Sequence, residues 1–481
     1  MEDEPDLPPE GDEGTVSHRS GGVRADPTLE LSTHDGYVGD TITLDGRGFP
    51  VDEELTVRWH SSEGQWGILE AREVTGPQYQ HRVESVLTVE TDESGEFTEE
   101  WTIPEDYGGS HVLDVRYGNE TLATANFEIT PHFEINRTEA PLGGMFTITG
   151  YGIGPSLVRN NYQITWDNGF LGFVTGVMNR GTGTAQVRAV GPPGEHVVQV
   201  WRNSQGVPFL QNNTQSEYGP VAGERTSSWT VEVTDPEEPP RTAWVDKLFD
   251  ESPISIHYPD VAADSDAELE ITPTSGQSGT SAFISGENFP PDTEVELRWY
   301  RHEGQPVRDA AVTPTPKPGI LPDVTTDGDG SFQVEVTVPA DQGSTRPITA
   351  AVDGRELAVT GFMMQPSIET FAPVRGPVGT EIEIELSGIG WTAYENSPFF
   401  VYDNKPLGVV SGSTGSEGDG TVRTVLQATG EPGYHFIDVY PALFDMREDE
   451  PRFELTPHLS YLDNHPVRPL PALHFAFEVT E

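Results

Sequence analysis

The stretch GQSGTSAFISGENFPPDTEVELRWYRHEGQ, from Gly276 to Gln305, returns an echo 240 residues earlier: GYVGDTITLDGRGFPVDEELTVRWHSSEGQ, from Gly36 to Gln65. Twelve of the thirty positions match without a gap, among them three glycines, a Phe-Pro, an Arg-Trp and a final Glu-Gly-Gln. Within ELTVRW, Leu55, Val57 and Trp59 share one face of a strand and Thr56 and Arg58 the other, because side chains alternate along extended chain. Val295, Leu297 and Trp299 repeat the inward set in the second copy. Glycines and Phe-Pro shape the turns between such runs.

The register continues downstream, where TDESGEF from Thr91 parallels TDGDGSF from Thr326. The intervening segments are also related: WDNGFLGFVTG, from Trp166, matches YDNKPLGVVSG, from Tyr402, and GPPGEHVVQVW matches GEPGYHFIDVY. The order is A-B-A′-B′, with a tether over 1–27, an A unit over 28–130, B over 131–235, a linker over 236–267, A′ over 268–364 and B′ over 365–481. Short alternating runs separated by Gly, Pro, Asp and Asn predict an all-β chain of four tandem sandwiches of about 100 residues each. The tether is rich in Asp, Glu, Pro and Gly, a composition that cannot bury a core. Trp244, Leu248 and Phe249 of the linker fit either a helical turn or an extended, partly packed connection, and the proline content favours the second.

Seventy-nine acidic residues against 27 basic ones give a net charge of -52, well beyond the roughly 2 to 8 units that keep a small domain soluble. Such a surface repels itself in dilute salt, whereas at about 1 M salt the screening length falls to about 3 Å. Lys247, Lys317 and Lys405 are the only lysines. This balance resembles the proteins of salt-in halophiles, haloarchaea above all. A nucleic-acid partner is disfavoured, since binding one needs a basic patch. With 0 cysteines, disulfides, thiolate metal sites and cysteine nucleophiles are excluded. No apolar run is long enough to span a membrane, and the opening MEDEPDLPPEGDEG has neither the basic nor the apolar region of a signal peptide.

ITPTSGQSGTSAFISGENF, from Ile271 to Phe289, resembles the opening of IPT/TIG-type immunoglobulin-like domains. Their first strand ends near Pro-x-x-Gly and is followed by Gly-Thr, a second strand and Gly-x-x-Phe. TDGDGSFQVEVTVP, from Thr326 to Pro339, is similar to the hairpin and strand of many prokaryotic surface immunoglobulin-like repeats. The resemblance implies the fold and exposure at a cell surface, and its motifs are structural. In that fold the third-strand rings Trp59, Trp299, Trp166 and Tyr402 fill cores. His111, His196 and His435, each at a strand start, take the place of a corner residue that hydrogen-bonds the backbone.

Asp327 and Asp329 hold part of the acid pattern of a calcium loop, but Ser331-Phe332-Gln333-Val334 lacks its downstream ligands, and a Gly-bearing hairpin turn accounts for them. No cofactor is implied beyond calcium at these two acids. No nucleophile elbow, zinc-binding His-Glu-x-x-His or phosphate loop occurs, so the chain reads as non-catalytic. Asn119, Asn136 and Asn212 head glycosylation sequons. Long loops carry Trp66, Phe209, Tyr218, Phe453 and Tyr461, which fit contacts with a neighbouring domain or another chain. The expectation is an extracellular structural or adhesive protein whose partners are itself, other surface proteins or glycans. The alternatives are a carbohydrate- or protein-binding surface module and an accessory chain of an exported enzyme system.

Overall fold

A computed structural model describes residues 26–69, 73–155, 161–203, 224–248, 258–303, 313–317, 319–390, 398–410, 420–443, 456–465 and 470–481. Among these the chain is almost wholly β, with one short helix, Tyr461–Asn464. In the first part, strands Thr28–Leu31, Thr41–Arg47 and Phe97–Thr102 form a three-stranded sheet. A second sheet, in the order Asp35–Gly36, Glu120–Ile129, Gly109–Tyr117, Glu54–Leu69 and Glu73–Glu90, supplies the other half of a shared core. The plan recurs with His132–Ile135, Met145–Tyr151 and Gly183–Arg188, then with Glu268–Thr272, Ser281–Glu287 and Phe332–Thr337, and last with Ser367–Ala372, Glu381–Ser387 and Val422–Gln427. Eight sheets thus pair into four sandwiches.

The topology is immunoglobulin-like. In every sandwich the first strand leaves its sheet, and a short continuation joins the opposite one parallel to the last strand. Asp35 pairs with Glu128, Glu139 with Glu232, Ser275 with Met363 and Arg375 with Glu478 in this way. The remaining strands of both sheets pair antiparallel and the chain crosses between sheets, the Greek-key arrangement of this fold.

The alternation read from ELTVRW holds: Leu55, Val57 and Trp59 are buried, as are Val295, Leu297 and Trp299. A buried indole must satisfy its N–H. Trp59 Nε1 donates to Asp106 Oδ2 at 2.7 Å, and Trp299 Nε1 to Asp341 Oδ2 at 2.6 Å. Both aspartates are themselves 0% exposed. Trp59 also stacks on His111, with ring centres 4.4 Å apart, and in the second and fourth sandwiches Trp166 and Tyr402 stack on His196 and His435 at 5.1 and 5.8 Å.

The three histidines turn corners. His111 Nε2 donates to the Tyr107 carbonyl at 2.7 Å, His196 Nε2 to Pro192 at 2.8 Å and His435 Nε2 to Glu431 at 2.8 Å. In the second and fourth sandwiches the other ring nitrogen meets a carboxylate, Asp167 at 2.6 Å and Asp403 at 2.5 Å. Burial works against charge on His435, but Asp403 holds its pKa above the usual value. Replacing His435 by Ala should cost about 1 to 3 kcal/mol in denaturant unfolding. An unchanged unfolding midpoint would remove the corner role.

Candidate functional site

The second and fourth sandwiches do not hang side by side on a linker; they share buried surface. In the second, strands Gly169–Val174 and Gly183–Arg188 each lie at one edge of a sheet. The fourth closes the seam between them. Core residues such as Phe146 and Ile164 run without a break into Phe399, Val401, Phe436 and Tyr440 of the fourth sandwich.

This contact follows from strands with two apolar faces. In Gly433–Leu443, Ile437 and Val439 point into the fourth core, while Phe436, Asp438 and Tyr440 point outward into the junction. Strand Pro398–Tyr402 divides in the same way, Phe400 and Tyr402 inward and Phe399 and Val401 outward. Two glycines permit the approach. A Cβ at Gly143 would lie 2.5 Å from the Phe436 ring, and one at Gly172 would lie 2.6 Å from the Pro457 carbonyl.

The loop before the last strand completes the seam. Leu459 donates its N–H to the Phe173 carbonyl at 2.8 Å, so this segment extends the edge of a sheet in the other sandwich. Ser460 Oγ accepts the Thr175 N–H and donates to the Thr175 carbonyl, both at 3.0 Å. Asn464 accepts the Met178 N–H and donates to the Thr182 carbonyl, also at 3.0 Å. Tyr461, foreseen as a loop contact, is 0% exposed within this seam and donates its hydroxyl to Asp246.

At the centre lies a buried ion pair. Arg188 and Asp438 are 0% and 1% exposed. Arg188 Nη2 donates to Asp438 Oδ1 at 2.6 Å and Nε to Oδ2 at 3.0 Å, a two-point grip that suits a planar guanidinium. Its Nη1 donates to the Gly143 carbonyl at 2.9 Å, and Asn404 donates to the Arg188 carbonyl at 2.8 Å. The guanidinium sits 4.9 Å from the Trp244 ring and 5.1 Å from the Phe436 ring, a cation held by two aromatic faces. His474 Nδ1 meets Asp438 Oδ1 at 2.6 Å, while its Nε2 lies 3.7 Å from Asp246.

Trp244 and Asp246 arrive from the segment between the second and third sandwiches. Ala243–Val245 is extended, pairing Ala243 with Phe475 and Val245 with Leu473, and so adds a strand to the fourth sandwich. Further on, Ala262 donates its N–H to the Glu356 carbonyl of the third sandwich at 2.9 Å. Phe249 lies outside the described residues.

Other neighbours also meet through buried polar groups. Tyr107 of the first sandwich donates to the Val177 carbonyl of the second at 2.6 Å and accepts the Gly64 N–H at 2.9 Å. Gly343 of the third donates to the Ile389 carbonyl of the fourth at 3.0 Å.

Of the remaining candidates, Asp327 and Asp329 lie on an exposed turn. Asp327 Oδ1 accepts the N–H groups of Asp329 and Ser331 at 3.0 and 2.9 Å, and Asp92 closes the equivalent turn on Ser94 and Glu96. Asn119 and Asn136 are exposed, the latter accepting the Thr147 N–H through Oδ1 at 2.8 Å. Phe209, Tyr218, Phe453, Asn212 and the side chain of Trp66 lie outside the described residues. Trp244 was foreseen in a partly packed linker, and it is extended here; Arg188, Asp246, Asp438 and His474 escaped the sequence reading, and the apolar residues on both faces of YHFIDVY were the available signal.

No family model matches the chain, and no curated protein matches it. Solved structures similar to it include the tetra-tandem repeat in the extending region of a large adhesion protein, 10% identical, covering 94% of this chain and 99% of that one, with a TM-score of 0.18. An ICAM-5 ectodomain fragment is 13% identical over 90% of this chain and 100% of its own, with a TM-score of 0.16. A mutant Salmonella alpha-2-macroglobulin is 9% identical over 95% of this chain, which spans 32% of its length, with a TM-score of 0.19. The strand topology, rather than these likenesses, assigns the fold.

Removing one partner of a buried pair strands the other charge. Arg188→Met should destabilise the chain by about 3 to 5 kcal/mol, and adding Asp438→Leu should recover most of that loss. Equal unfolding curves for the single and double variants would show that the pair does not hold the junction.

The junction also predicts a pH window. Burial alone would raise the Asp438 pKa, but Arg188 and His474 hold it at about 2. A depressed acid gives its full stability above its unfolded pKa of about 3.9 and loses it as pH falls through the folded value. Burial opposes charge on His474, yet Asp246 and Asp438 raise its pKa above the ordinary value. A raised base gives its full stability below its unfolded pKa of about 6.5 and loses it as pH rises through the folded value. Unfolding midpoints followed from acid to alkaline pH should therefore peak between about 4 and 6.5. In His474→Gln the alkaline decline should flatten; persistence of the full decline would exclude His474 as its cause.

Proposed function

We propose that this chain is a non-catalytic structural or adhesive protein of a halophile's outer surface, its sandwiches acting as spacers and self-association modules. The observation that carries the reading is where the fold places its buried polar groups. Arg188, Asp438, Tyr107 and Asn464 fasten one sandwich to another, and His474 braces Asp438. A scaffold that presents surfaces at set distances needs such fixed junctions, because interfaces between domains otherwise permit relative motion. The net charge of -52 supports the halophile setting, where screening removes the repulsion between copies.

A second reading, a carbohydrate-binding surface module, draws on one feature near the junction of the first two sandwiches. Tyr37 is 47% exposed and packs edge-on to His132 at 5.1 Å, and His132 stacks on Tyr151 at 5.1 Å. The exposed Tyr37 ring and the half-buried His132 and Tyr151, beside Asp40 and Glu134, suit a polyhydroxylated ligand.

Sedimentation velocity of the full chain over a wide concentration range, in dilute and in molar salt, tests the first reading. Assembly should grow with concentration at high salt and disappear in dilute salt. A single monomeric species throughout would overturn self-association, and binding on a glycan array that is lost in Tyr37→Ala would then favour the second reading.

A further inference from the structure

On the outer face of the first sandwich, strands Glu54–Leu69, Glu73–Glu90 and Gly109–Tyr117 bring together Arg58, His60, His81 and Asp114. Arg58 Nε donates to Asp114 Oδ1 at 2.8 Å, which fixes the carboxylate. His60 Nε2 lies 2.7 Å from Asp114 Oδ2. A carboxylate only accepts, so Nε2 carries a proton, and in the neutral ring the lone pair of His60 is then on Nδ1. That atom is 3.3 Å from Nε2 of His81, an exposed residue on the neighbouring strand.

We propose that His60 Nδ1 and His81 Nε2 form a two-imidazole site for a borderline divalent cation such as zinc or copper. Two ligand nitrogens at about 2.0 to 2.1 Å from a tetrahedral zinc stand about 3.3 to 3.4 Å apart, which is the separation already present. Imidazole nitrogens favour such ions, whereas magnesium and calcium prefer oxygen. The bond from His60 to Asp114 is the outer-shell arrangement that fixes a ligand's tautomer and raises its basicity. Arg58 extends that support one residue further. Exposure of His81 leaves the ion an approach from solvent.

The third sandwich shows that the fold does not require the imidazoles. Its equivalent face keeps an arginine–carboxylate pair, Arg298 Nη1 to Glu356 Oε1 at 2.6 Å. At the place of His60 stands Tyr300, which donates to the same Glu356 oxygen at 2.8 Å. A cross-strand pair is thus common to both sandwiches, and the two adjacent ligand nitrogens belong to the first.

Calorimetric titration of the full chain with zinc, and separately with copper, tests the site, in molar salt with excess calcium to occupy carboxylates. One site per chain should bind more tightly than the remainder. His81→Ala, at an exposed position, should weaken it at least about tenfold, and Asp114→Asn by about 10- to 100-fold through the outer shell. The copper complex should show coupling to two nitrogens in its electron paramagnetic resonance spectrum, falling to one in His81→Ala. Affinity and spectrum unchanged in His81→Ala, in a variant whose circular dichroism matches the parent, would overturn the proposal and leave a hydrogen bond between the two rings.

Discussion

The pairing of Arg188 with Asp438 is the constraint on which the arrangement of this chain depends. Each charge is expensive to remove from water, and their attraction offsets that cost only when the remaining donors and acceptors are also satisfied. Here Gly143 takes an arginine N–H and His474 meets the aspartate. Trp244 and Phe436 cover the guanidinium. With Asp246 and a protonated His474, the group holds two positive and two negative charges. That balance offsets the cost of taking these ions out of water, and their directional bonds favour one orientation of the two sandwiches. Apolar contact alone would tolerate sliding, which an ion pair with directional bonds does not.

The connecting segment is part of the same device. Trp244 is placed over Arg188 because Ala243–Val245 pairs with the last strand of the fourth sandwich. Asp246, one residue on, meets Tyr461 and approaches His474. The proline-rich stretch between repeats therefore acts as an edge strand for part of its length, and its extended form follows from that pairing.

Much of the fold was legible from short-range patterns. Alternation in ELTVRW and its copy located the buried Trp59 and Trp299, and the Gly-x-His positions located the corners. These features depend on neighbours a few residues away or on the two-residue period of a strand, which sequence displays directly. The candidate site was not legible in the same way, because Arg188 and Asp438 lie 250 residues apart and belong to different repeats. Aligned positions even diverge in environment: Leu171 is 0% exposed where the fourth sandwich covers it, while its counterpart Leu407 is 53% exposed. Repeat matching treats these residues as equivalent, and the contact that separates them is visible only in three dimensions. The outward Phe436 and Tyr440 around Asp438 were the local trace of it, since a strand with one solvated face would carry polar residues there.

Salt and pH act on different parts of this molecule. The excess of carboxylates lies mostly at the surface, where repulsion falls off within a screening length that shrinks as salt rises. The junction charges are buried among rings and backbone, where ions in solution screen them far less. Added salt therefore relieves the force that drives sandwiches and copies apart while leaving their fastening almost unchanged. Protonation works the other way, since Asp438 and His474 respond to pH in opposite senses within one contact. An acidic surface can thus be tuned to a saline medium without altering the geometry in which the sandwiches are held, because repulsion and fastening reside in groups with different access to solvent.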